Sequence, residues 1–302
     1  MTDPAPMSQT PPRPFDPVAG ALWMLASAAA FTIANIMIRP AAAEMHPLQV
    51  VFFRNVFGIV FMAPILFRSG FGVLRTKRLK LHLARGCTFL AGMTTWFWAV
   101  PHVPLVDAIA LFFLSPLLIT ILAASVLGER VRVRRWSAVV IGFAGALLVL
   151  QPGAGTINAY YGLLLLNAVI WSLGALILRE ASKTEKPTTI VAHMYLWALP
   201  VSILPALLVW RDPSLEGLLW CMGIGFMSTL AHLSLARAFA TAEASFVIPF
   251  DYSQLVFGAL MGFAMFGEIP AWSTVAGSLL IVGAALYIAR RESALARRGG
   301  TP

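Results

Sequence analysis

The chain has 302 residues, of which 59% are hydrophobic and only 12% charged, roughly half the charged share of ordinary soluble domains. That composition excludes a water-soluble globule, and two cysteines inside apolar stretches, Cys87 and Cys221, exclude a disulfide framework. A net charge of +9 would suit a nucleic acid, but its placement along the chain points to a membrane face instead.

Met1 to Asp16 is Pro-rich and polar and lacks the basic-then-apolar layout of a cleavable signal, so the run from Val18 reads as a retained span. Ten apolar segments follow, at 18–38, 48–67, 83–100, 105–127, 136–150, 160–178, 189–210, 217–236, 243–266 and 271–289. A helix of about 20 apolar residues crosses a hydrocarbon core roughly 30 Å thick, so the expected fold class is an all-α integral membrane protein. With the N-terminus inside, 18 of the 22 Lys and Arg residues fall in cytoplasmic segments and only Arg39 and Arg211 outside. Arg54 and Arg85 lie within or at the ends of spans. This asymmetry orients both termini toward the cytoplasm. It also aims the basic run Arg130–Arg135 at anionic lipid headgroups.

The ten segments repeat as two sets of five. Phe31-Thr-Ile-Ala-Asn-Ile-Met-Ile-Arg39 matches Trp171-Ser-Leu-Gly-Ala-Leu-Ile-Leu-Arg179, with an aromatic, a hydroxyl, a small residue and an Arg at the same spacing. Asp107-Ala108 matches Glu243-Ala244, Gly128-Glu129 matches Gly267-Glu268, and Gly145 matches Gly283. An odd number of crossings per unit turns the second unit upside down relative to the first, a recurring build of secondary transporters. The expected organisation is a tail at 1–17, one five-helix unit at 18–150, its inverted copy at 151–291, and a tail at 292–302.

The duplicated five-helix unit and the Gly-Glu pairs closing spans four and nine resemble the EamA branch of the drug/metabolite transporter superfamily. Two further stretches, His46-Pro-Leu-Gln-Val-Val-Phe-Phe-Arg54 and Val247-Ile-Pro-Phe-Asp-Tyr-Ser-Gln-Leu255, are similar to a bacterial subgroup with S-adenosylmethionine and riboflavin importers. The resemblance implies ten helices around a central cavity, lined by the first four of each unit. It implies alternating-access transport of a small organic metabolite, cofactor-like or aromatic, driven by a gradient or by exchange. Export of amino acids or drugs is the alternative within the superfamily.

Ionisable residues at membrane depth are costly and mark function. Asp251 follows Pro249, whose missing N–H can open span nine locally. Its carboxylate would pair with a cationic group or carry a coupling proton, with Tyr252 and Gln254 beside it. Arg54, shallow in span two, would hold an anionic group, pair with Asp251, or snorkel to the outer surface. Arg85 reads as an interfacial anchor. Phe31 and Trp171 are repeat-related aromatics that would stack on a planar ligand. Trp96 and Trp98 read as interfacial, and Asn35 and Asn167 as helix-to-helix bonds. Ser115 in span four joins the substrate-binding set. Glu129 and Glu268, ending helices on opposite faces, suit gating, and His193 suits proton relay.

No Gly-rich phosphate loop followed by Lys-Ser/Thr is present, which argues against ATP hydrolysis. No His-Glu-x-x-His, Gly-x-Ser-x-Gly or Cys-x-x-Cys occurs, so a membrane-embedded enzyme, a catalytic residue, a metal site and a cofactor are not expected. A channel or lipid flippase would need a continuous pore or lateral groove. The expected partners are a small-molecule substrate and lipid, with a homodimer as an open alternative.

Overall fold

A computed structural model describes residues 16–126, 133–151, 158–182, 184–185, 187–242 and 244–297. Among them the regular structure is helical throughout: α1 (Pro17–Glu44), α2 (Pro47–Ser69), α3 (Leu79–Ala99), α4 (Leu105–Phe112), α5 (Ser115–Val126), α6 (Val133–Leu150), α7 (Ala159–Ser182), α8 (Pro187–Leu208), α9 (Leu215–Thr241), α10 (Ala244–Asp251), α11 (Ser253–Phe266) and α12 (Trp272–Arg297), with short 3-10 turns at Phe71–Leu74 and Val100–His102. Among the described residues six stretches are long and apolar enough to cross a membrane: Pro17–Glu44, Pro47–Arg68, Leu105–Leu122, Ala159–Leu178, Thr189–Leu208 and Leu215–Leu235. Trp136–Leu150 and Trp272–Tyr287 are shorter apolar helices. Side chains such as Val140, Leu208, Leu260 and Leu279 are more than half exposed, and such extended apolar faces need lipid beside them.

Local chemistry sets the helix ends. Asp16 caps α1, its Oδ1 accepting from the Ala19 N–H at 2.9 Å, with Pro17 at the first helical position. Ser214 caps α9 by accepting from the Gly217 N–H at 3.0 Å, and its hydroxyl donates to Glu44 Oε2 at 2.7 Å. The chain breaks between α4 and α5 because Pro116 has no N–H to give the Phe112 carbonyl four residues back. The Ser115 hydroxyl donates to that carbonyl instead, at 2.7 Å. A second break separates α10 from α11 at Tyr252, downstream of Pro249.

The core forms where α1 packs on α9 and α3 on α7, with α2 and α8 flanking these pairs. Helices α6 and α12 pack on each other and reach the rest through α4, α5 and α10. Their closeness depends on two facing glycines: a Cβ on Gly145 would fall 2.7 Å from the Gly277 carbonyl oxygen, and one on Gly277 would collide with the Gly145 carbonyl. Gly283, farther along α12, has nothing within 4 Å of its Cβ position. Gly145→Ala or Gly277→Ala should therefore cost about 1–3 kcal/mol by overpacking and lower the midpoint of thermal unfolding in detergent. Gly283→Ala should leave that midpoint unchanged or raise it.

Candidate functional site

A cavity of about 220 Å³ lies among α1, α2, α3, α4, α7, α9, α10 and α11. One wall is aromatic. Phe89 meets Trp171 edge-on at 6.1 Å, Trp171 meets Phe112 at 5.8 Å, and Phe112 meets Trp96 at 5.7 Å. This row of rings runs from α3 through α7 to α4 and back to α3. Trp96 Nε1 donates to Asn35 Oδ1 at 2.9 Å, so the last ring is fixed to α1. Across the cavity Phe31 meets the His232 ring edge-on at 5.1 Å.

Polar groups enter from the other helices. Asp251 and Gln254 line the cavity on either side of the α10–α11 break, and Gln254 Nε2 donates to Asp251 Oδ1 at 2.7 Å. Three residues of spacing would place the pair on one helical face in any case, but the break turns that face inward. Arg54 also lines the cavity and is 4% exposed. Its Nη1 donates to Asn55 Oδ1 at 3.1 Å and contacts Met93 Sδ at 3.1 Å. Its guanidinium lies 5.3 Å from the Phe89 ring and 5.4 Å from Tyr195.

One residue beyond Ile38 of the cavity wall, Arg39 joins a polar cluster. Arg39 Nη2 pairs with Glu268 Oε1 at 2.7 Å and donates to the Val103 carbonyl, while the guanidinium lies 4.2 Å over Phe266. Glu268 Oε2 accepts from the Leu105 N–H at 3.0 Å, at the N-terminus of α4, where a carboxylate is favoured. Glu268 is delivered there by Gly267, which ends α11 in the left-handed conformation at φ +67°. Two residues into α4, Asp107 accepts from the Tyr161 hydroxyl at 2.7 Å and the Thr274 hydroxyl at 2.8 Å. These contacts tie α1, α4, α7, α11 and α12 together at one end.

Of the residues singled out in the sequence, Asp251, Gln254, Trp171, Phe31 and Arg54 converge on the cavity. Arg54 and Asp251 share its walls without forming an ion pair; Asp251 is bonded to Gln254. Arg54 does not snorkel outward: Phe89, Tyr195 and Met93 hold it inside. Tyr252 and Ser115 sit one layer back. Tyr252 packs on Phe113 at 4.6 Å, and Ser115 bridges the α4–α5 break while its carbonyl accepts from the Ser172 hydroxyl at 3.0 Å. His193 lies away from the cavity, stacked on His82 at 4.4 Å with Nε2 at 3.2 Å from the Leu74 carbonyl oxygen. Glu129 and residues 130–132 of the basic run fall outside the described residues.

Arg85 is no interfacial anchor. It is 6% exposed, with its guanidinium 5.6 Å from the Trp171 ring. Trp96 likewise turns inward, while Trp98 stays exposed beside His46. Asn167 makes the helix-to-helix bonds expected of it, donating to the Gly92 carbonyl and to Thr95 Oγ1 at 3.0 Å. Sequence reading assigns no site role to Asp107, Asn55 or Arg39, and offers His232 only as an alternative proton relay to His193; His232 lines the cavity. A lone carboxylate five residues before Phe112, where the chain breaks, was the available signal for Asp107; the repeat marked Arg39 without giving it a role, and Asn55 shows only through its neighbours.

A helical membrane protein with an aromatic-walled cavity between two broken helices has the form of a transporter. A family model described as the EamA-like transporter family matches twice, over residues 18–151 and 158–290, and the chain belongs to that family. A riboflavin transporter of Vibrio cholerae serotype O1 is 34% identical over 287 residues, covering 93% of this chain and 96% of that protein. An S-adenosylmethionine uptake transporter of Rickettsia prowazekii is 28% identical over 273 residues, covering 90% of this chain and 93% of the relative. A solved crystal structure with 22% identity shares the fold at a TM-score of 0.62, covering 91% of this chain and 98% of the other. The chain is a multi-pass membrane protein and a secondary transporter of a small metabolite, not an enzyme.

If the Arg39–Glu268 pair holds one end of the cavity shut, Glu268→Gln should open it more often. With Cys87→Ser and Cys221→Ala in the background, a Ser228→Cys probe in the cavity should react with a water-soluble maleimide about fivefold faster, the factor for roughly 1 kcal/mol. Arg39→Lys should fall between, because an ammonium cannot make the same forked and stacked contacts.

Proposed function

We propose that this protein carries a planar, cofactor-like metabolite of the riboflavin or S-adenosylmethionine kind across the bacterial inner membrane by alternating access, through the cavity lined by Asp251, Gln254, Trp171, Phe31 and Arg54. The observation that carries the reading is the row of edge-on rings facing a membrane-embedded carboxylate. Rings offer area to a planar ligand at small entropic cost, and a carboxylate at that depth meets a cation or a proton. The names of the relatives supply the substrate class.

Ten spans in two inverted units, 18–150 and 151–291, underlie the mechanism, with α4–α5 and α10–α11 each acting as one broken span. Helix pairing supports this. Exchanging α1 with α7, α2 with α8, α3 with α9 and α4–α5 with α10–α11 turns the α1–α9 contact into α7–α3, α2–α9 into α8–α3, and the packing of α1 on α10 and α11 into that of α7 on α4 and α5. The pair α6–α12 maps onto itself. Cytoplasmic termini follow from the Lys and Arg asymmetry, which also sets basic segments against anionic headgroups. The Arg39–Glu268 pair then closes the outer end. Ser115 and Tyr252 shape the breaks behind the site, and His193 sits at the cytoplasmic end of α8.

At about 220 Å³ the cavity is smaller than the roughly 300–1,000 Å³ of sites for drug-sized ligands. Entry of a flavin-sized molecule requires the walls to part, as alternating access demands.

Uptake into proteoliposomes of labelled riboflavin and S-adenosylmethionine, with and without a pH gradient, tests the reading. Saturable uptake of either supports it, and stimulation by the gradient assigns protons as the driving ion. Asp251→Asn should reduce uptake about a hundredfold or more while the protein still inserts and folds, since a neutral amide neither carries the proton nor balances a cation. Normal uptake by a well-expressed Asp251→Asn protein removes the carboxylate from the mechanism.

A further inference from the structure

Phe89 has two cations beside it. Arg54 lies 5.3 Å from its ring centroid and Arg85 lies 5.9 Å from it. Arg85 precedes Phe89 by four residues on α3, so the guanidinium and the ring share a helical face. The facing helix leaves room for the cation at Gly174, where a Cβ would fall 3.1 Å from Arg85 Nη1. Arg85 does not itself line the cavity; Phe89 and Trp171, which do, lie over it.

Neither cation is neutralised. The ion pairs among the described residues are Arg39–Glu268, Arg78–Glu180 and His82–Glu185. Arg85 Nε and Nη1 are buried without a hydrogen-bond acceptor, and Arg54 bonds only to a neutral amide and a thioether. Asp251, the acidic residue of the cavity wall, is engaged by Gln254. A guanidinium stays protonated in proteins, and burying it unpaired is costly. Ring faces offset part of that cost but accept no strong N–H bond. An anionic oxygen group entering here would gain charge-assisted bonds to a fork of donors held in place beforehand.

We propose that Arg54 and Arg85, gathered around Phe89, form a subsite for a carboxylate or phosphate on the transported molecule, so that the cavity selects planar metabolites bearing an anionic group. This rests on the cavity being the transport site. Arg54 meets the anion directly, and Arg85 adds a second cation behind Phe89 and Trp171. Among cofactor-like compounds the prediction ranks riboflavin 5′-phosphate above riboflavin.

The test is equilibrium dialysis of the purified full chain in nanodiscs against two ring-matched series. The first is riboflavin and its 5′-phosphate; the second is indole-3-acetate, indole-3-acetamide and tryptamine. The anionic member of each series should bind at least about tenfold tighter than its neutral counterpart. Arg54→Gln and Arg85→Gln, checked for folding by size exclusion, should each bring the difference to within about twofold, and Arg85→Lys should restore part of it. Neutral and anionic members binding alike to the wild-type protein would overturn the subsite while leaving the transport reading intact, and that comparison needs no variant. A preference that survives in both Gln variants also overturns it. Failure of every compound to bind folded protein overturns the flavin-like substrate class and the subsite together.

Discussion

A polar atom facing hydrocarbon has no water to bond, and each one left bare costs several kcal/mol. Much of this architecture answers that cost. Backbone groups close into helices, and where Pro116 withholds a donor from the Phe112 carbonyl, the neighbouring Ser115 hydroxyl supplies one. Asn167, too polar for lipid, bonds to α3. Asp107 is satisfied by two hydroxyls from α7 and α12. Such bonds join helices that apolar packing alone would leave free to slide, because lipid tails are as apolar as Leu side chains.

The cavity gathers charged and polar groups that are not fully answered. Asp251 has one amide partner, Arg54 has weak ones, and Arg85 has ring faces in place of acceptors. Arg39, by contrast, meets a carboxylate, two carbonyls and the Phe266 ring. The contrast separates an arginine fully engaged by its partners from arginines still able to bond. Glu268 reaches Arg39 from a glycine-terminated helix end rather than from within a span. A helix terminus can shift without breaking a ladder of backbone bonds.

Residue patterns alone were enough for much of this. Runs of apolar length marked the helices, and the spacing Phe31…Arg39 against Trp171…Arg179 marked the duplication. Pro249 marked one of the two breaks, and Pro116 makes the other without having been read as one. Asp251, Trp171 and Phe31 stood out because charge or large rings at membrane depth require a reason, and all three line the cavity. Reading failed where depth along a helix was taken for direction. Arg85 sits near a span end, where a long side chain can reach either the interface or the interior, and Phe89 and Trp171 draw it inward. The sequence leaves Arg54 open between the surface and the cavity, and Phe89 and Tyr195 hold it in the cavity. Trp96 went astray for the same reason, since its partner Asn35 is on α1.

The sequence by itself determined that this chain is helical, lies in a membrane, repeats itself and belongs among transporters, because hydrophobic length, charge asymmetry and spacing are properties of the chain read one stretch at a time. Only the tertiary structure decided which side chains share the cavity, that Arg39 closes on Glu268, and that two arginines meet at one phenyl ring. Those facts depend on which helix faces which. Facing is set by close packing between segments distant in sequence, as where α3 meets α7 at Gly174, and no local pattern records it.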